Sequence, residues 1–166
     1  APRIVPHGPL ALDPACMALH YGQEAFEGLK AYRGVDGGIR LFRQRKNFER
    51  LLRSAHRLCM PEFDIDDAID ACKQLVLLDR DWIPRTDGCA LYIRPNYFAT
   101  DPFLGVRPSL RYLFNIIVGP VGAYYPEGFN PVNIYVTDTY VRAVRGGVGE
   151  AKTAGNYAAS LLAQAE

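Results

Sequence analysis

Two stretches of the chain place apolar residues along one side of a helix. Over 44–59, Phe48, Leu51, Leu52, Ala55 and Leu58 recur at three- and four-residue steps, while Arg45, Lys46, Arg50, Arg53 and Arg57 fill the opposite side. Pro61 interrupts that pattern. Asp64 is placed to cap a second helix over 65–79, whose buried side is Ile65, Ile69, Cys72, Leu75 and Val76. Trp82 and Pro84 close it, and Thr86-Asp87-Gly88 has turn chemistry.

Elsewhere the period shortens to that of strands. EGLKAYRG and IRLFRQ alternate around Asp36-Gly37-Gly38, which predicts a β-hairpin. CALYIRPNYFA (89–99) and RYLFNIIV (111–118) are strand runs rich in aromatic and β-branched residues, joined by the loop TDPFLGVRPS. Residues 1–20 are punctuated by proline and read as extended. Together these elements predict an α+β fold: a small N-terminal domain over 1–120, with a sheet packed on one face by the two helices. The Gly- and Pro-rich stretch that follows predicts an interdomain linker over 121–130. Residues 131–166 then read as the beginning of a second domain, with a strand over 132–138, a glycine-rich segment and a helix starting near Asn156.

Composition narrows the function classes. The formal net charge is +1, so no bulk field favours nucleic acid or an anionic membrane. No apolar run reaches the ~20 residues of a membrane-spanning helix, and the start APRIVPHGPLALDP lacks the apolar core of a signal peptide. Cys16, Cys59, Cys72 and Cys89 are widely spaced, without a C-x-x-C pair or a histidine cluster. They predict reduced, buried, inert thiols in a cytoplasmic protein, and no metal site. The chain begins without Met and stops at SLLAQAE within a helical pattern, which reads as a fragment of a longer protein.

The most specific stretch is G-G-V-G-E-A-K-T-A-G-N-Y around Lys152. A phosphate-binding loop of the Walker type needs glycine directly before the lysine; Ala151 stands there, so that motif fails. From spacing alone, a solvent-exposed lysine in a flexible turn is the plainer reading. The glycines also allow close approach of backbone to a flat ligand. A lysine there forms a Schiff base if burial or neighbouring cations disfavour its ammonium form.

GGVGEAKTAGNYAASLLAQAE resembles the segment around the cofactor lysine of branched-chain-amino-acid aminotransferases, which are fold type IV pyridoxal-phosphate (PLP) enzymes. ALHYGQEAFEGLKAYRG (18–34), LYIRP (91–95) with DPFLGV (101–106), and GPVGAYY (119–125) are similar to other motifs of that family, in the same order. The resemblance implies that this is the N-terminal half of such an enzyme, with 131–166 opening the larger PLP-binding domain. It implies Lys152 as the catalytic residue, binding PLP as an imine and shuttling a proton. It implies Arg50 on the cofactor phosphate and Arg142 near the cofactor.

Tyr92 and Arg94 are two apart on a strand and share a face; the resemblance places them in the substrate site. Tyr21, Phe26 and Tyr124 match pocket aromatics, and Leu104 and Val106 match apolar residues on a loop that closes the pocket. Several such residues are lent across a dimer interface in the family, so a homodimer or larger homo-oligomer is expected. No histidine is assigned to catalysis, and Glu24 and Glu27 are assigned to structure.

The expected reaction is transamination of leucine, isoleucine and valine with 2-oxoglutarate. The family's second half supplies the carboxylate that pairs with the cofactor's ring nitrogen. A protein ending at Glu166 is therefore expected to be inactive. Two alternatives stand beside this reading. One is a relative acting on D-amino acids or aminodeoxychorismate. The other is a non-catalytic phosphate-binding or interaction domain using the Arg-rich helix and glycine loop.

Overall fold

The computed structural model describes residues 2–123, 128 and 130–165. Its centre is an antiparallel sheet organised by one long strand. That strand, β4 (Ala90–Ala99), carries β5 (Tyr112–Val121) on one edge through ten paired positions. Its other edge is shared by two short strands. β1 (Glu24–Phe26) pairs with its C-terminal part, and β2 (Leu29–Arg33) with its N-terminal part. β3 (Ile39–Leu41) completes the predicted hairpin with β2.

Glu27 and Gly28 sit where β1 gives way to β2. The Glu27 amide donates to Pro95 O at 2.9 Å and holds that junction against β4.

The strand period sorts β4 into two faces. Leu91, Ile93, Pro95, Tyr97 and Ala99 point to the core, opposite Val118, Ile116, Phe114 and Tyr112 of β5. α2 (Gln44–Arg57) and α3 (Ile65–Leu78) cover that face with Phe48, Leu51, Ala55, Ala68, Ile69, Cys72 and Val76. Both lie where the apolar spacing predicts. Asp64 caps α3 by accepting from the Asp67 amide at 2.9 Å, a bond worth ~1 kcal/mol. α2 ends two residues earlier than expected, because Cys59 adopts a left-handed φ of 56° and turns the chain out of the helix. Tyr92, Arg94, Asn96 and Phe98 occupy the opposite face of β4.

Several expectations are corrected. A short helix, α1 (Met17–Tyr21), interrupts the segment read as extended, and β1 is an element the sequence does not predict. β5 runs on through Gly119 and Pro120 to Val121. Pro120 lacks an amide donor, which the open edge of the sheet tolerates. Residues 132–137 form no strand; Ile134 and Val136 are more than four-fifths exposed, and neighbouring Tyr135 about two-thirds. Strand propensity needs a partner to supply the ladder, and none lies beside this run among the described residues. α4 (Ala154–Ala158) and α5 (Leu161–Ala165) follow the lysine loop.

The cysteines divide. Cys16 and Cys72 are buried, whereas Cys59 is exposed, against the expectation that all are inert. Burial pushes the Cys72 thiol up to about 11. Alkylation at pH 8, mapped by mass spectrometry, should label Cys59 and spare Cys16 and Cys72 until the protein unfolds; equal labelling of Cys72 contradicts this packing. No helix among the described residues is long and apolar enough to cross a membrane.

Candidate functional site

The backbone around Lys152 is fixed from two sides. Its amide donates to Ser54 Oγ of α2 at 2.9 Å, and its carbonyl accepts from the Phe26 amide of β1 at 3.1 Å. Thr153 forms a bridge with Ala25, and its hydroxyl donates to Glu24 O at 2.7 Å. Buried Asn156 closes the turn, donating to Val148 O at 2.8 Å and Ala151 O at 2.6 Å. A lysine in a flexible turn has none of these ties.

The glycines before it serve the chain itself. A Cβ at Gly149 would lie 2.4 Å from the Ala143 Cβ, and one at Gly147 would lie 2.8 Å from Val144 Cγ2. Gly147 and Gly149 let the loop fold back on 143–144. Arg57 latches the loop to α2, donating to Gly147 O at 3.0 Å and Gly146 O at 3.2 Å.

The Lys152 side chain lies beside two rings that pack against each other. Its Nζ lies 4.6 Å from the Phe26 centroid and 4.7 Å from that of Tyr157, and it donates to the Tyr157 hydroxyl. The two rings are 4.9 Å apart. Arg94 brings a second cation to the same phenyl ring, 4.7 Å from its centroid, and donates from Nη2 to the Tyr92 hydroxyl at 2.8 Å. Each such cation–ring contact contributes about 0.5–2 kcal/mol, more as water is excluded. Phe26 is therefore the shared wall between the amine and the guanidinium.

Arg50 completes the cluster from α2. Its Nε and Nη2 both donate to the buried Glu27 carboxylate, the latter at 2.8 Å. The Glu27 bond and charge hold the Arg50 proton more tightly than usual, against the opposing effect of burial, and Tyr157 lies near enough to add to it. The side chain is still 49% exposed, so Glu27 does not bury it from solvent.

Thus the structure brings Lys152, Arg50, Phe26, Tyr92 and Arg94 into one neighbourhood. Arg142 is exposed and donates to Gly149 O at 3.5 Å, with no contact to that cluster. Tyr21 lies on α1 and is 40% exposed, with its ring 6.0 Å from that of His20. Leu104 and Val106 project into solvent from a loop anchored by Asp101, which accepts from Arg107 at 2.7 Å and the Leu110 amide at 3.3 Å. Tyr124 lies outside the described residues.

Three contributors escape a reading of the sequence. Ser54 falls three residues after Leu51 on the buried stripe of α2, where a polar side chain requires a partner. Tyr157 and Glu27 carry no comparable signal.

A third glycine is constrained at the site. A Cβ at Gly28 would lie 2.2 Å from Tyr92 Oη and 2.9 Å from its Cζ. Gly28→Ala should swing the Tyr92 ring aside, break its bond from Arg94 and cost about 1–3 kcal/mol of stability. Denaturation of the variant with a crystal structure checks this; an unmoved ring with unchanged stability contradicts it.

The donor set suits a phosphorylated aldehyde cofactor. An amine is held on an aromatic wall, and a guanidinium stays half exposed. Arg94 Nε is buried with no hydrogen-bond partner among the described residues. Lys152, Arg50 and Tyr157 are the residues here that could hold such a group. No cluster of three His, Cys, Asp or Glu side chains suited to a metal occurs among the described residues.

No family model matches the chain. Individual proteins do. It is 56% identical to branched-chain-amino-acid aminotransferase 2 of Bacillus subtilis over 98% of its own length and 45% of that protein's. It is also 56% identical to a probable branched-chain-amino-acid aminotransferase of Streptomyces coelicolor, over 99% of this chain and 46% of that one.

Among solved structures, a branched-chain amino acid aminotransferase of T.th. with pyridoxamine 5'-phosphate matches with a TM-score of 0.77 at 28% identity. That match covers 97% of this chain and 51% of that one. The enzyme of Thermoproteus uzoniensis with norvaline matches with a TM-score of 0.75 at 25% identity, covering 93% and 50%. The chain spans about half the length of the curated relatives it matches. Over that span, its sequence and its fold are similar to those of branched-chain aminotransferases.

Proposed function

We propose that the full-length protein is a PLP-dependent branched-chain aminotransferase. It moves the amino group of leucine, isoleucine or valine to 2-oxoglutarate, giving the branched 2-oxo acid and glutamate. The observation that carries this reading is the position of the Lys152 amine, set against Phe26 and Tyr157 in the same cluster as Arg50 and Arg94.

PLP, when bound, supplies an electrophilic imine carbon and a conjugated ring that accepts the electrons of the substrate's Cα–H bond. The chain's own residues do the rest. Lys152 would hold the cofactor covalently and, as a free amine, would take and return the proton at the substrate Cα. Arg50 turns its guanidinium to the phosphate; arginine keeps its charge and offers several donors in one plane. Tyr157 holds the lysine amine in place and is a further hydroxyl at the cofactor. Arg142 is assigned to the cofactor's surroundings on sequence grounds alone.

Arg94 and Tyr92 offer a cation and a hydroxyl to a substrate carboxylate. Phe26, with Tyr21 and Tyr124, provides apolar wall for a branched side chain. Leu104 and Val106, exposed at their loop tip, suit a role at a pocket mouth shared between subunits of a homodimer or larger homo-oligomer. Residues 1–120 form the small domain, 121–130 the linker, and 131–166 the opening of the PLP-binding domain. The protein acts in the cytoplasm on small amino and 2-oxo acids.

A screen of amino donors on the full-length enzyme tests the reading. Leucine, isoleucine and valine should be turned over with 2-oxoglutarate, whereas D-alanine and aminodeoxychorismate should not. A preference for D-alanine would move the protein to another branch of the same fold type.

A further inference from the structure

Glu27 is the one fully buried carboxylate at the site, and the mechanism above leaves it without a task. It accepts from Arg50 Nε, from Arg50 Nη2 at 2.8 Å, from Asn47 Nδ2 at 3.0 Å and from the Gly28 amide at 3.1 Å. Three of these donors reach Oε2 and one reaches Oε1, so both carboxylate oxygens are held. Its backbone amide is tied to β4 through Pro95 O, and Asn47 also donates to Gly28 O at 3.2 Å, so the carboxylate has no freedom to follow Arg50. The side chain before it, Phe26, is the ring that Lys152 and Arg94 both contact.

A guanidinium is planar, so fixing its Nε–Nη2 edge also fixes where the opposite edge points. The directions of the N–H groups not taken by Glu27 are therefore fixed as well, on a side chain that is 49% exposed. We propose that Glu27 is a positioning residue, which aims Arg50 at the phosphate of the cofactor. This deepens the proposed function and rests on it. An arginine free to choose rotamers loses side-chain entropy whenever it binds an anion, whereas one already clamped does not. A carboxylate in this place also lowers the net charge offered to the phosphate. The advantage therefore lies in direction and not in added attraction.

The test compares PLP with pyridoxal, which lacks the phosphate, on the full-length protein. Affinity is read from the absorbance of the lysine-bound cofactor. Glu27→Gln keeps the size but supplies one acceptor oxygen where two arginine donors need placing. It should weaken PLP about tenfold, the scale of one lost charge-assisted bond, and leave pyridoxal within about twofold. If Glu27→Gln does not fold, Glu27→Asp withdraws the carboxylate by one methylene and should give the same phosphate-selective loss.

In an Arg50→Ala background, Glu27→Gln should change PLP affinity no further, because the route through Arg50 is already gone. Equal weakening of both aldehydes, no weakening of either, or an additive loss in the double variant would each overturn the assignment. A wild-type protein that attaches neither aldehyde at Lys152 would instead remove the functional reading beneath it.

Discussion

Lys152→Ala in the full-length protein should abolish turnover of leucine with 2-oxoglutarate. Loss of the proton shuttle alone costs on the order of 10²–10⁴ in rate, and loss of the covalent anchor adds to it. The fold should survive, because the loop is held by backbone and neighbouring side chains. The bonds from the Lys152 amide to Ser54, from Thr153 to Glu24 and from Asn156 to Val148 and Ala151 do not involve the amine. Circular dichroism should thus match the wild type and the denaturation midpoint should fall only by the ~0.5–2 kcal/mol scale of the lost cation–ring contacts, while activity disappears. Retained turnover in a folded Lys152→Ala protein would refute the catalytic assignment.

Arg50→Ala should produce a different pattern, with stability and cofactor retention lost together. The substitution leaves the Glu27 carboxylate buried with only Asn47 and the Gly28 amide as donors. Breaking a fully buried ion pair costs about 3–5 kcal/mol. Arg50 is half exposed, so water partly replaces it, and a loss of about 2–3 kcal/mol is expected. The same variant should release PLP on dialysis, whereas Arg50→Lys should retain part of the affinity through its charge. Denaturant titration and residual absorbance of the dialysed protein measure the two effects. An unchanged midpoint with full cofactor retention would show that Arg50 is one more cation on a solvated helix face.

The parts of this fold that announce themselves in the sequence are those whose partners are close by. α2 and α3 show their apolar stripes, Asp64 shows its capping position, and Asp36-Gly37-Gly38 marks the hairpin between β2 and β3. β1 spans three residues and exists because β4, about seventy residues later, supplies its hydrogen bonds; no local pattern encodes that. α1 is hidden behind the prolines that precede it, and it is anchored by a bond from the Met17 amide to Asp101 O at 3.0 Å. The converse error arises at 132–137, where β-branched residues read as a strand that finds no neighbour.

The site divides along the same line. Lys152, Arg50, Phe26, Tyr92 and Arg94 stand within motifs recognisable by resemblance, and the structure gathers them. Tyr157 looks like one more aromatic on a helix until its hydroxyl meets the lysine amine. Glu27 looks structural until its carboxylate is seen to accept from Arg50. Both relations are tertiary and appear only once β1, α2 and α4 are assembled.

Reductive trapping tests the central claim most directly. The full-length protein, incubated with PLP and reduced with borohydride, should yield one pyridoxyl-labelled peptide on mapping, with the label on Lys152. Label on another lysine, or none on a folded protein, would contradict the placement of the cofactor.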